Sequence, residues 1–532
     1  MKALTSFLVA SVLVAAIPAT STAQDDGRSQ LFLGLLTEGR SLAERGHYYD
    51  ACVAFNGILE RGAPEEDYYK EAEYNMAANL HKLGLVYSSF VYFSRIADSG
   101  EEHPFYTHAI PWFLAMAREV PGFQGARQYL AGYDFGFYPP QLHNEIAYVV
   151  GEYYYGVDDL DAALVSLGLV EKGDEELFLK SLYLQGVVHA RKNSAKESMD
   201  AFREILLYIE QKETMTPFLN QMAARASLAA ARVLYSVGNV LEGQGKEARE
   251  EFRRSAGLYN RIERYSTYWL QALFEKSWAL FRIGDYERAM GNLHTLNSPY
   301  FEEQFFPESH FLQAVILYTN CRYDDVITVV DAFEKEYSDL RKELDTQLQE
   351  NEDPADFYYW LSSLGQKGAG FSRKLKKIFN IGLADRKLYR LFTFIVSLQR
   401  EEGLLENMRR TAVQKDLAEN LLGELITYRE LAIGEVGEQA KDRLNSKRKE
   451  LQRLIVNAMK VKFEASRALN LMNRGERELT KETGESKGFK TVRDSRYLAW
   501  PFEGEYWKDE LDSYLFKVEN LCPDTRPVET EQ

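Results

Sequence analysis

Proline is scarce in this chain, with 14 in 532 residues, which excludes a disordered proline-rich stalk. Cysteine is scarcer still. Cys52, Cys321 and Cys522 lie far apart with no C-x-x-C spacing, so a disulfide framework is excluded. One long-range bridge and three buried thiols both remain open. Positive charge is in deficit, at a net −16, which excludes nucleic acid as a ligand because backbone phosphates need a basic surface. After the N-terminal segment no apolar run is long enough to cross a bilayer. The eight histidines form no H-E-x-x-H, and His103 and His108 have the wrong spacing for one helix face. There is no G-x-S-x-G, Walker or serine–lysine arrangement. The glycines of "GQKGAGF" lack a preceding strand and a Gly-Lys-Ser/Thr, so they are read as a joint between segments. Carboxylates are abundant, but general-acid work needs one in a shaped, partly apolar cleft. No catalytic, metal-binding or cofactor-binding residue is assigned.

The chain opens with Lys2, an apolar run from Phe7 to Ile17, and the small-x-small triplet Ser21-Thr22-Ala23. This pattern predicts a secretory signal peptide over 1–23, too short to be an anchor. Gln24 follows, not Cys, which speaks against a lipid anchor. The mature chain is expected to be exported without a transmembrane segment, to the periplasm, with the extracellular space as the alternative. Its length exceeds one compact core, so it should hold several domains or a repeat array. The 33 tyrosines and 30 phenylalanines suit helices packed through aromatics. Charge is uneven. Residues 371–490 hold 26 Lys and Arg against 17 Asp and Glu, a balance of +9, so the rest carries −25. The two parts could dock on each other, or the basic part could face an anionic envelope polymer or lipid.

The stretch "RIGDYERAMGNL" reads as a turn, a helix start, the small residue Ala289 and the core residue Leu293. Equivalents of Ala289 recur at Ala51, Ser89, Ala126, Ala163 and Ser198, at intervals of 38, 37, 37 and 35, and again at Val326. Twelve residues before each marker stands Gly39, Ala77, Gly151, Gly186, Ser277 or Ala314, with Leu114 the exception. A small residue there lets neighbouring helices approach closely. The 91 residues between Ser198 and Ala289 fit one further unit with an enlarged loop, its first helix in "RASLAAARVLYSV" and its second bearing Ala248 and Phe252. One hairpin cannot bury its apolar face alone, and stacking gives each unit two neighbours.

This pattern resembles the tetratricopeptide repeat family, over about eight units from 31 to 338. The resemblance implies a groove lined by the first helix of each unit. Carried over position by position, the lining is Arg40, Tyr74, His81, Arg118, Tyr148, Glu152, Tyr155, Tyr183, Phe274, Trp278, Phe281, Phe311, Val315 and Tyr318. The candidate partner-binding residues are Tyr74, Tyr148, Tyr155, Tyr183, Phe274, Trp278, Phe281, Phe311 and Tyr318, since aromatics offer large contact area at low entropic cost. The competing reading packs the same rings on one another as core.

Beyond 338 the rhythm stops. A charged helix and a loop at Asp353-Pro354 open a linker over 339–384. Residues 385–475 are predicted as a coiled-coil-like helical hairpin with its seam at Leu451, Ile455, Ala458, Ala465, Leu469 and Met472, interrupted by Lys462 and reversing at Gly434 and Gly437. Its expected role is to brace the array, with dimerisation or partner docking as the alternative. Residues 476–532 form an aromatic and acidic cap containing Trp500, Phe502, Tyr506 and Trp507, with a final helix expected in "EYWKDELDSYLFKV". This ending is similar to those of exported tetratricopeptide proteins of predatory and gliding Gram-negative bacteria. The expectation is an all-α protein: an α-solenoid of tetratricopeptide-like hairpins followed by a helical, coiled-coil-like region. As a non-catalytic periplasmic scaffold it would assemble envelope proteins through its groove, with peripheral association to the envelope. The alternatives are a peptidoglycan-acting enzyme or its activator, and a binder of anionic polymer or lipid through 371–490.

Overall fold

The computed structural model describes residues 22–301, 304–364, 373–383, 386–474, 489–491 and 506–522. The expected signal peptide lies outside them except for Thr22 and Ala23, as do the glycine-rich joint at 365–372 and most of the C-terminal cassette, Trp500 and Phe502 included.

The fold is all-α, built from antiparallel helical hairpins in sequence order. They are α1 (Thr22–Glu44) with α2 (Tyr48–Leu59), α3 (Asp67–Lys82) with α4 (Val86–Asp98), and, after the shorter helices α5 (Ile110–Glu119) and α6 (Gln124–Gly132), α7 (His143–Gly156) with α8 (Leu160–Gly168). There follow α9 (Glu175–Arg191) with α10 (Ala195–Glu210), α11 (Pro217–Gly243) with α12 (Arg249–Tyr259), α13 (Trp269–Arg282) with α14 (Tyr286–Leu296), and α15 (Pro307–Thr319) with α16 (Tyr323–Glu350). Then come α17 (Pro354–Leu364), α18 (Arg373–Leu383), α19 (Arg386–Thr411) and α20 (Asp416–Asn473). A two-stranded antiparallel sheet joins β1 (Phe489–Thr491) to β2 (Tyr514–Phe516), with Lys490 opposite Leu515. The chain divides into two compact units, Met1–Phe113 with Arg400–Leu425, and Leu114–Gln399 with Ile426–Gln532.

The repeat spacing has a physical origin in both units. In the first, a Cβ on Gly39 would lie 2.6 Å from the Phe55 ring, so only glycine lets α1 and α2 close over that ring. In the second, Gly151 receives Leu167, Gly186 receives Phe202 and Gly238 receives Phe252 in the same way. The marker serines add a hydrogen bond across each pair: Ser89 Oγ donates to Ala77 O at 2.7 Å, and Ser198 Oγ to Gly186 O at 2.7 Å. Five residues before the marker the chain turns through left-handed backbone, at Gly46, Gly84, Asp158, Asn193, Gly284 and Cys321. Glycine adopts this conformation without penalty, and Asp and Asn tolerate it. Cys321 is the departure.

Three expectations are corrected. The extra length of the α11–α12 hairpin is not a loop: α11 itself runs 27 residues, with Pro217 at its start and the Thr216 hydroxyl accepting from Leu219 N–H as its cap. The chain does not reverse at Gly434 and Gly437, because α20 passes unbroken through both, and the turn falls at 412–415. Gly437 instead lets the Pro354 backbone approach α20 so closely that a Cβ would overlap the Pro354 carbonyl. The third concerns the cassette. "EYWKDELDSYLFKV" does not form a helix over its described part: it makes turns and then β2, whose backbone lies on Gly291 of α14. The alternation Tyr514, Phe516 suits a strand, and a bare helix face gives that strand somewhere to lie.

Opposite charges do dock within the second unit. Helix α20 runs antiparallel to α16: Lys462 meets Asp331 and, at 3.7 Å, Glu334, while Arg448 meets Asp345 at 3.1 Å. Lys462 thus gives the apolar seam a polar function; Leu451, Ile455, Ala458 and Ala465 are buried as expected, whereas Leu469 and Met472 are only half-buried.

Candidate partner-binding groove

The candidate lining residues stand on the first helices of the hairpins. All nine aromatics are half-buried, neither core nor fully exposed. Tyr74 belongs to the first unit and the other eight to the second.

In the first unit, the Tyr74 ring stacks on Phe105 at 4.5 Å, and its hydroxyl accepts from the Trp112 indole at 3.4 Å. His81 meets the edge of Trp112 at 5.1 Å, and Arg40 pairs with Glu71 on the next first helix. In the second unit the same one-hairpin offset recurs. Arg118 pairs with Glu145, Arg191 lies over Tyr155 at 5.1 Å, Arg225 over Tyr183 at 4.4 Å, and Arg232 grips Glu275 through two bonds of 2.8 and 2.6 Å. Phe274 meets Phe306 at 5.5 Å; Phe281 touches both Trp278 and Tyr286; Tyr318 faces Tyr323 at 5.7 Å. Tyr183 lies between Phe202 and Arg225, and Tyr148 and Tyr155 pack against the core cluster of Ala163, Leu167 and Val188, so these rings are shared between the hairpin core and its surface. A cation over an aromatic face contributes roughly 0.5–1 kcal/mol at such sites, so these contacts align successive hairpins.

One stretch of this lining already carries a helix of the same chain. At α7, Glu152 accepts from Arg390 of α19 at 3.0 and 3.2 Å, from Arg127 at 3.1 Å and from the Tyr148 hydroxyl at 3.2 Å. Burial lowers the Arg127 pKa, and the Glu152 carboxylate opposes that shift. Phe394, one turn along α19, stacks on Phe123 at 5.0 Å, and Gly122 admits the Arg390 backbone. At α13 and α15, Trp278 stands beside Glu308, whose carboxyl is pushed up by burial and by Glu450 of α20 and pulled down by Trp278 and Lys447. The indole nitrogen itself is buried with no hydrogen-bond partner among the described residues. Sequence reasoning missed Arg390, Phe394, Glu308 and Glu450, because no periodicity links residues 238 apart such as Glu152 and Arg390.

The C-terminal segment covers another face of the second unit. Tyr506 stacks on His294 at 4.6 Å, Asp512 lies 3.6 Å from Arg264 and 3.5 Å from Lys276, and Leu511 is fully buried. Burial lowers His294 to about 4, so the ring is neutral. The end is fixed by a disulfide between Cys321 and Cys522 and by Leu521 N–H donating to Asn320 O at 3.0 Å. Cys52 is buried and reduced.

Among the described residues no His, Cys, Asp and Glu cluster has metal-binding geometry, and no helix is long and apolar enough to cross a membrane. No family model matches the sequence, and no curated protein does. Among solved structures, the chain is similar to a tetratricopeptide repeat protein from Parabacteroides merdae ATCC 43184, at 11% identity and TM-score 0.25 over 57% of this chain and 93% of that one. It is also similar to yeast Tom70, at 14% identity and TM-score 0.21 over 84% and 99% of the two chains. A third likeness is to a Rap protein complexed with competence and sporulation factor, at 14% identity and TM-score 0.26 over 76% and 99%. Scores at this level say nothing about a ligand, and the hairpin array rests on the contacts described above.

Proposed function

We propose that the protein is a non-catalytic scaffold that acts outside the cytoplasm and gathers protein partners of the cell envelope through the first-helix face of its hairpins. The observation that carries this reading is internal. Arg390 on Glu152 shows this face holding a helix of its own chain. A surface of half-buried rings and paired charges that accepts one amphipathic helix is suited to another. The half-buried rings of Tyr155, Tyr183 and Phe274 would supply contact area at low entropic cost. Export is supported by the N-terminal pattern and by the Cys321–Cys522 bridge, which persists in an oxidising compartment.

The test is photo-crosslinking from position 278 in the native cell envelope. A discrete protein adduct that disappears when Phe274 and Phe281 become Ala, in a variant with unchanged thermal stability, supports the reading. Self-crosslinks alone, with stability falling in the same variant, would show that these rings are core and sink it.

A further inference from the structure

The cations of α20 fall into two sets. Arg448 and Lys462 turn toward α16 and meet Asp345, Asp331 and Glu334. Lys449, Arg453 and Lys460 are exposed and meet no carboxylate among the described residues. Arg467 is exposed as well, at the edge of ion-pair range from Glu464, 4.0 Å away.

At about 100° per residue, positions 449, 453, 460 and 467 fall within one narrow strip of the helix. Immediately beside that strip stand Val456, Met459 and Phe463, which are 38%, 46% and 67% exposed. The opposite side, Leu451, Leu454, Ile455, Ala458, Ala465 and Ala468, is buried. The outward side of this helix therefore sets an apolar column, with Gln452 in it, next to a cationic column whose other flank carries Glu450, Asn457 and Glu464, on a chain whose net charge is −16.

We infer that this face docks on the surface of an anionic lipid bilayer, lying in the interface without crossing it. Three alternatives fit less well. A soluble polyanion would be held by the cations alone and gives no reason to expose Phe463 and Met459, whereas a headgroup boundary accommodates both columns. A second copy of the chain pairing through the same face would set cationic column against cationic column if antiparallel, and cationic column against apolar column if parallel. Nucleic acid is disfavoured by the overall charge. The inference develops the expectation that the basic part of the chain meets an anionic polymer or lipid, and it does not depend on the groove reading.

The test is co-sedimentation of the full mature protein with phosphatidylcholine vesicles containing about 30% phosphatidylglycerol, against phosphatidylcholine alone. The expected result is binding to the anionic vesicles only, weakened by salt. Lys449→Glu with Arg453→Glu and Lys460→Glu should abolish it, and Met459→Ser with Phe463→Ser should weaken it by about tenfold or more. All five positions are exposed, so the variants should melt with the wild type. No binding to anionic vesicles overturns the inference. So does binding that survives both sets of substitutions. Binding lost with the charges but kept in full without Met459 and Phe463 would also overturn it, in favour of a polyanion. The crosslinking from position 278 contains no vesicle, so the two proposals fail separately.

Discussion

The Glu401 carboxylate caps α4 at Ser88: Oε1 accepts from the Ser88 N–H at 2.9 Å and from its hydroxyl at 2.7 Å, and Oε2 accepts from the Tyr87 N–H at 2.8 Å. The first N–H groups of a helix have no partner within it, and their dipoles favour negative charge. Here the cap comes from 313 residues away and is buried. Burial raises the Glu401 pKa, while the donors from Ser88, Tyr87 and Val86 pull it back.

Removing that cap leaves three donors unanswered, two of them, on Ser88, buried. Glu401→Ala should lower unfolding free energy by about 2–3 kcal/mol, and Ser88→Ala by about 1 kcal/mol. A double-mutant cycle by urea titration should return a coupling between them. Additive effects would mean that the two groups do not interact in solution.

Glycines 434 and 437 sit one turn apart on α20 and should respond in opposite directions. Gly434 has open space where a Cβ would go, and Gly437 has the Pro354 carbonyl. Gly434→Ala should stabilise by about 0.5–1 kcal/mol through helix propensity. Gly437→Ala should destabilise by about 1–3 kcal/mol, because backbone must move. Melting temperatures shifting the same way in both variants would contradict the close approach.

Glu73 and His103 form a buried pair in the first unit, with His103 Nε2 3.8 Å from Glu73 Oε2 and Nδ1 accepting from Phe105 N–H. Burial raises Glu73 to about 7, opposed by Arg95, and lowers His103 to about 4, assisted by Lys70. For Glu73 the folded value lies above the ordinary one, so its contribution is greatest in acid and declines as pH rises toward 7. For His103 the folded value lies below, so stability is lost as pH falls from about 6.5 toward 4. Glu73→Gln should therefore exceed the wild type in melting temperature at pH 8 and lose that advantage by pH 5. A difference that does not change with pH would refute the assignment.

Thiol titration checks the cysteines. The native protein should show no reactive thiol, the denatured protein one, from Cys52, and the denatured and reduced protein all three. Cys522→Ser should cost about 2–4 kcal/mol and open the end of the chain near 506–522 to protease. Two or more thiols on denaturation would mean that the bridge is not formed.

What was legible in the sequence was local. Gly39 and Phe55, or Gly186 and Phe202, lie within one hairpin, and repetition of that contact leaves a period that spacing alone reveals. The contacts of α19 and α20 happen once each. Glu401 with Ser88 and Arg390 with Glu152 carry no period, and a buried carboxylate on a helix end reads in sequence as one acidic residue among 80. Gly437 misled for a related reason: glycine marks a turn and a close approach equally well, and only the Pro354 backbone distinguishes them. In the cassette, Tyr514 and Phe516 alternate over too few residues to overrule a helical spacing. For the groove, position within the repeat located the nine rings, but their half-burial depends on the next hairpin's Arg191, Arg225 and Phe306.

The bridge between Cys321 and Cys522 also sets how the molecule would carry a load. It is a covalent shortcut across a sequence separation of 201, so a pull between the two ends of the chain travels from 321 to 522 through sulfur. The closed ring, with α16 through α20 in it, drops out of the line of tension. Extension would unzip the hairpins upstream of residue 321 while the ring's contour length stays locked. Reduction would return about 200 residues to the line of tension, each worth about 3.3–3.6 Å once its helix has unfolded. Stretched by its ends, the oxidised chain is a shorter tether than its sequence implies, and its redox state sets the length.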